Sequence, residues 1–184
     1  DEEIFERFKL SSDDNLDSWK TYPNPAQLGK CLEMLNASKK PMIIAGLGAG
    51  ATVIPEQLNQ FLMKSKIPFM SVDSARALVP DSHPNSLGIG YLPLNRAAQR
   101  VDECDVVLML GNKLDYQLGF GGSPPFGKNT KIIYIDPEIT QINRARSVNL
   151  AINCDVGSFV EQINSQADDY IWTNDLWLQS LKNT

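Results

Sequence analysis

Apolar residues concentrate in three short runs, Pro41–Gly46 (PMIIAG), Asp105–Gly111 (DVVLMLG) and Lys131–Asp136 (KIIYID), each closed by glycine or aspartate. Runs this short and this rich in Val, Ile and Met do not make surface helices. Separated by helix-like segments, they predict buried parallel strands. Leu28, Cys31, Leu32 and Leu35 recur at helical spacing and predict an amphipathic helix from Pro25 to Ala37. A second helix is predicted over Pro55–Ser65, with Leu58, Phe61 and Leu62 inward, and a third over Leu94–Cys104. Ile67–Val72 reads as a further strand, whereas Asp73–Tyr91 and Gly119–Asn129 lack a regular pattern and read as long loops. The pattern then gives a short helix at Ile139–Arg144, a short strand at Val148–Ile152, and a helix from Val156 with Asp155 as its N-cap. Trp172, Leu176, Trp177 and Leu181 in the tail fall at mixed helical spacing, which fits either core packing or an interdomain surface.

Strands alternating with helices predict an α/β fold, a three-layer doubly wound parallel sheet with right-handed crossovers. Residues 1–24 are acidic and polar and read as a linker or surface strap, residues 25–166 as the α/β domain, and residues 167–184 as a helical tail.

Composition narrows the function classes. A 184-residue chain with 42% hydrophobic and 21% charged residues is that of an ordinary globular domain. A net charge of −5 with scattered basic residues argues against a nucleic-acid surface. No apolar run approaches the ~18 residues a membrane span needs. The chain opens on Asp1-Glu2-Glu3 with no visible signal peptide, so a cytoplasmic, excised segment is expected. Cys31, Cys104 and Cys154 are isolated and read as free thiols. With one histidine, His83, they are too few to predict a metal site. His83 precedes Pro84 in a loop, outside any catalytic pattern, and reads as a structural hydrogen-bonding residue.

The candidate chemistry lies at the strand ends. In an open parallel sheet, ligands bind beyond the carboxyl ends of the strands. Gly46-Leu47-Gly48-Ala49-Gly50 would let a backbone approach a phosphate or an adenosine, or simply make a tight strand-to-helix turn. Its third glycine falls one place short of the dinucleotide fingerprint. Gly111-Asn112-Lys113-Leu114-Asp115 adds donors and a carboxylate at the next strand end. Asp136-Pro137-Glu138 offers a carboxylate for ribose hydroxyls or for capping a helix. Jointly the three ends predict a nucleotide crevice.

The stretches HPNSLGIG, ECDVVLMLGNKLDYQLGFGGSPPFG and KIIYIDPEITQINRARSVNLAINCDVGSFVEQI resemble the central domain of thiamine-diphosphate-dependent enzymes, nearest to acetolactate synthase-like and 2-hydroxyacyl-CoA lyase-like members. The resemblance covers about Pro25 to Ile163. It implies a six-stranded, nicotinamide/flavin-binding-like sheet between pyrimidine-binding and diphosphate-binding domains, in a parent that works as a dimer or tetramer. That parent uses thiamine diphosphate and magnesium, neither bound by this domain alone, to make or break bonds beside a carbonyl. The central domain holds FAD in some members, ADP in others and nothing in the rest. Carried over by motif, nucleotide contacts fall on Gly46, Leu47, Gly48, Gly111, Asn112, Lys113, Asp115, Asp136, Pro137, Gln141, Asp155 and Val156. Two positions depart from the pattern: Cys154 stands where the family carries glycine and Lys113 where it carries arginine. The resemblance assigns this segment no catalytic residue and implies that it is inactive by itself. A second reading is a freestanding nucleotide-binding or subunit-interaction module, like the epsilon subunit of carbon monoxide dehydrogenase complexes. A sirtuin-like or electron-transfer-flavoprotein-like domain is a third.

Overall fold

The structure is a computed structural model that describes residues 20–72, 75–145 and 147–184. Residues 1–19 of the expected linker lie outside the described residues.

Strands β1 (Pro41–Ala45), β2 (Phe69–Ser71), β3 (Ser86–Ile89), β4 (Val106–Leu110), β5 (Lys131–Asp136) and β6 (Leu150–Asn153) form one sheet in the order β3-β2-β1-β4-β5-β6. Every pairing is parallel. The chain therefore winds outward from β1 in one direction and from β4 in the other, which leaves a switch point between those two strands.

The helices are α1 (Pro25–Asn36), α2 (Leu47–Thr52), α3 (Pro55–Ser65), α4 (Arg96–Gln99), α5 (Ile139–Arg144), α6 (Val156–Gln166) and α7 (Asp175–Lys182). Single turns of 3-10 helix cover Arg100–Glu103 and Ala167–Asp169, and a longer 3-10 stretch spans Tyr116–Gly121. Three of the starts are capped as their sequences dictate. Asn24 accepts from the Ala26 amide at 2.9 Å, Asn95 from Ala97 and Ala98, and Asp155 from Ser158 at 2.8 Å. Pro25 and Pro55 occupy first-turn positions, where a missing N–H costs nothing.

Side-chain alternation along the strands divides the interior in two. Ile43, Leu108 and Ile133 face a core closed by α1, α3 and α6; Met42, Val107 and Tyr134 face a second core closed by Ala98, Leu118, Phe126, Trp177 and Leu181. The tail belongs to both. Trp172 packs on Phe61 of the first core at 6.0 Å between ring centroids, while Trp177 is buried in the second and donates to the Pro41 carbonyl at 3.0 Å. For both tryptophans, core packing is the observed role.

Four local expectations need correction. The stretch read as one loop, Asp73–Tyr91, contains β3; a half-exposed edge strand with Gly88 at φ +76° has no apolar run to betray it. The glycine run is helical over α2. The helix expected over Leu94–Cys104 is only four residues of α4 followed by a 3-10 turn, and the strand expected over Ile67–Val72 shrinks to Phe69–Ser71. His83 behaves as read, its Nδ1 accepting from the Asn85 amide at 3.1 Å.

Candidate functional site

At the switch point β1 and β4 end side by side, and their ladder continues past the strands. The Gly46 amide donates to Leu110 at 2.9 Å, Gly48 to Gly111 at 2.8 Å, and Gly111 to Ile135 at 2.9 Å. This approach needs glycine. A β-carbon on Gly46 would fall 2.2 Å from the Asn112 Oδ1, and Gly111 itself sits at φ +55° with Ala49 and Gly48 against it. The glycine run thus presses α2 onto the end of β4 backbone to backbone.

The three strand ends open into one cavity of about 420 Å³. Leu47, Gly48, Gly111, Asn112, Lys113, Asp115, Asp136, Pro137 and Gln141, nine of the residues expected from the motifs, line it. Gly46 lies beneath it as the packing partner of Asn112. Asp155 and Val156 are not brought into it. Asp155 is spent capping α6, Val156 is fully buried, and Thr52 of α2 sits on the same helix end, its Oγ1 accepting from the Gly157 amide at 3.1 Å. Ala51, Gln117 and Glu138 also line the cavity. The spacing of Asp115 to Gln117 carries the signal for one of them, since the Asp115 carboxylate accepts from the Gln117 backbone amide at 2.9 Å and fixes the turn in which it stands.

Asp136 is the best-held group in the site. It is only 7% exposed; its Oδ1 accepts from the Glu138 amide at 2.8 Å and its Oδ2 from the Tyr134 hydroxyl at 3.3 Å. Asn153 fixes the backbone behind it, donating to the carbonyls of Asp136 and Pro137 at 2.9 Å each. Burial raises the Asp136 pKa above the usual carboxylate value; the Glu138 amide and Tyr134 hydroxyl oppose this, the Glu138 charge adds to it, and Lys113 opposes it. Glu138 is held below its ordinary value by the Thr140 hydroxyl and Gln141, then by Arg144 and Lys113. A carboxylate so fixed at a sheet's carboxyl edge is placed to accept hydroxyl donors from a sugar.

Two further cavities flank the first. One of about 390 Å³ lies over the ends of β2 and β3, lined by Val72, Tyr91, Leu92, Pro93, Tyr116 and Leu118 together with Asn112 and Gln117 of the central cavity. The other, about 350 Å³, shares Lys113, Asp115 and Gln141 and adds Leu114, Phe120 and Arg144. Together they make a trough along the carboxyl edge of the sheet.

The family model for the thiamine pyrophosphate enzyme central domain matches residues 28–163. The chain belongs to this family. It is 27% identical over 128 residues to 2-hydroxyacyl-CoA lyase 1 of Dictyostelium discoideum, covering 70% of this chain and 21% of that protein. It is 26% identical over 164 residues to oxalyl-CoA decarboxylase of Escherichia coli, covering 88% and 27%. With the large subunit of acetolactate synthase isozyme 1 of Escherichia coli it shares 28% over 131 residues, covering 71% and 23%. The chain thus spans about a quarter of the length of these curated relatives. An X-ray structure of a Mycobacterium smegmatis protein described as thiamin diphosphate-dependent superposes with a TM-score of 0.66 at 18% identity, covering 79% of this chain and 28% of that one. That likeness is one of fold.

Among the described residues no group of three or more His, Cys, Asp or Glu side chains is placed to hold a metal ion. No described helix is long and apolar enough to cross a membrane.

Proposed function

We propose that this chain is the middle domain of a thiamine-diphosphate-dependent carboligase or decarboxylase, spacing a pyrimidine-binding and a diphosphate-binding domain and holding the ADP portion of a nucleotide at its switch point. The observation that carries the nucleotide reading is the convergence of Gly48, Gly111 and Asp136, from three separate strand ends, on one cavity. Free ADP and the ADP half of FAD present the same ribose to Asp136. The apolar flank over β2 and β3 offers room for whatever FAD carries beyond that half.

In this reading the parent's reaction is performed outside the domain. Thiamine diphosphate supplies an electron sink beside a carbonyl, and its anchoring falls to the flanking domains or to further copies of the parent. This chain's own residues bind and orient the nucleotide: Asp136 accepts from the ribose, Gln141 and Asn112 offer amides, and the glycines keep the floor of the crevice close. Three buried free thiols, Cys31, Cys104 and Cys154, support a reducing compartment such as the cytoplasm.

Thermal shift and calorimetric titration with ADP, FAD and NAD test the proposal. ADP and FAD should each raise the melting temperature, and Asp136→Ala should abolish the shift while leaving the far-ultraviolet circular dichroism unchanged. A flat response to all three would leave the domain as a spacer only.

A further inference from the structure

His83 is the single histidine of the chain, and its ring contacts decide where its proton sits. Nδ1 accepts from the Asn85 amide at 3.1 Å, so the neutral ring carries its proton on Nε2. Nε2 is itself buried, and no hydrogen bond from the described residues reaches it. The backbone around the ring is tied on both sides: the His83 amide donates to Pro80 and the His83 carbonyl accepts from Ser86, each at 2.9 Å. What the ring holds in place is Asn85, which is fully buried. Its Nδ2 donates to the carbonyls of Leu62 in α3 and Ile67 ahead of β2, both at 3.0 Å, and its own carbonyl accepts from Phe69 at 2.9 Å. One residue thus joins the end of α3, the start of β2 and the start of β3.

A proton on Nδ1 would set two donors face to face, the ring N–H against the Asn85 N–H. The amide would then lose its acceptor, at the cost of an unsatisfied buried donor. The surroundings do nothing to welcome the charge. Burial pushes the ring below its ordinary value of 6.5; the Asn59 backbone opposes this, and Lys182 of α7 and Lys66 at the end of α3 add to it. On the ring's own loop, Asp81 faces Arg76 at 4.0 Å. The strand that depends on Asn85 is the weakest of the sheet, since β3 is an edge strand paired with β2 alone. Its pairing runs from the Phe69 amide on Asn85 to the Gly90 amide on Ser71 at 2.8 Å. Just beyond, Gly90, Tyr91, Leu92 and Pro93 form one wall of the cavity over β2 and β3.

We propose that His83 is an acid-sensitive latch on the β3 edge: the neutral ring holds Asn85 and through it the pairing of β3 with β2, and protonation releases that edge together with the cavity wall at residues 90–93. The latch depends on no bound ligand. A depressed folded-state value means that the unfolded chain binds the proton first, so the stability supplied by the latch is lost as pH falls from 6.5 through the lower folded value.

Nitrogen-15 NMR of the 184-residue chain from about pH 8 to about pH 5 reads this one imidazole directly, and amide exchange protection measured on the same samples reads the strand. At the upper end the ring should show the Nε2–H tautomer. It should titrate below 6.5, and the Asn85 amide signal should move with the same midpoint. Across that titration, protection of the Phe69 and Gly90 amides should fall about tenfold, the scale of one buried donor left without its acceptor, while β4 and β5 keep theirs. His83→Asn places an Oδ1 acceptor where the ring has Nδ1 and removes the titration, so its β3 protection should stay level over the whole range. The latch is refuted by an Nδ1–H tautomer, by titration at or above 6.5, or by β3 protection that ignores the His83 midpoint. It is equally refuted if His83→Asn loosens on acidification as the parent does, or if β4 and β5 lose protection in step with β3.

Discussion

Asn112 lies so close over Gly46 that a β-carbon on the glycine would meet its Oδ1 at 2.2 Å and its Cα at 2.7 Å. The second contact is with backbone, so no rotamer change relieves it. Gly46→Ala should cost about 1–3 kcal/mol in chemical denaturation, as overpacking does. Gly29 of α1, where an added β-carbon would meet nothing within 4 Å, is the control. Gly29→Ala should stabilise by about 0.5–1 kcal/mol.

A single side chain closes the exposed edge at β3. Asn95 donates to the carbonyls of Leu87 at 2.8 Å and Ile89 at 2.7 Å, while its Oδ1 caps α4. Asn95→Ala should lose about 1–2 kcal/mol of stability. Asn95→Asp keeps the cap but not the donors, and should recover only part of that loss. Hydrogen exchange at β3 distinguishes the two contributions.

The Trp177 ring carries Lys40 at 5.0 Å and Arg100 at 5.1 Å, and its indole N–H reaches Pro41. Trp177→Ala should cost about 3–5 kcal/mol, because the side chain is almost fully buried. Trp177→Phe, which keeps most of the ring and loses the donor, should cost about 0.5–1.5 kcal/mol in the same urea titration.

Glu103 pairs with both cations of that cluster. Hydrogen bonds from Arg100 and then Lys40 lower its pKa from 4.5 to about 2. A depressed folded-state pKa gives stability that is fully present above the unfolded value of 4.5 and is lost as pH falls through 4.5 towards 2. Glu103 is partly exposed, so the effect is screened by solvent and salt. Denaturation midpoints measured from pH 6 to 2 should fall less steeply in Glu103→Gln than in the parent protein.

Removing the Tyr134 hydroxyl takes away one of the two donors that restrain the Asp136 pKa. On the proposed reading the charged carboxylate accepts from the ribose, so ADP affinity falls as pH drops through the Asp136 value. In Tyr134→Phe that fall should begin at a higher pH than in the parent. Titrations at a series of pH values measure it, and superimposable profiles would show that Tyr134 leaves the carboxylate untuned.

Much of this was legible because burial leaves a mark in sequence. The strands β1, β4 and β5 are buried on both faces and stand out as unbroken apolar runs; α1, α3 and α6 show their inward stripe. The motifs shared with the family pointed to nine cavity-lining residues. What escaped was decided by tertiary contact. β3 holds its place through Asn95 and its pairing with β2, and SLGI carries no such stripe. Asp155 and Val156 sit at a strand exit like the others, but nothing local announces that Thr52 would reach across to that helix end. Arg144 reaches the trough from the last position of α5, which no motif marks.

The tail threads the two cores in sequence. Asn174 is fixed to the Ser65 carbonyl on one side of the sheet, Trp177 to the start of β1 on the other, and Arg100 clasps the Ser180 carbonyl and Thr184 beyond. Peeling of the chain from Thr184 would therefore have to undo the Arg100 and Trp177 contacts before it reached Asn174.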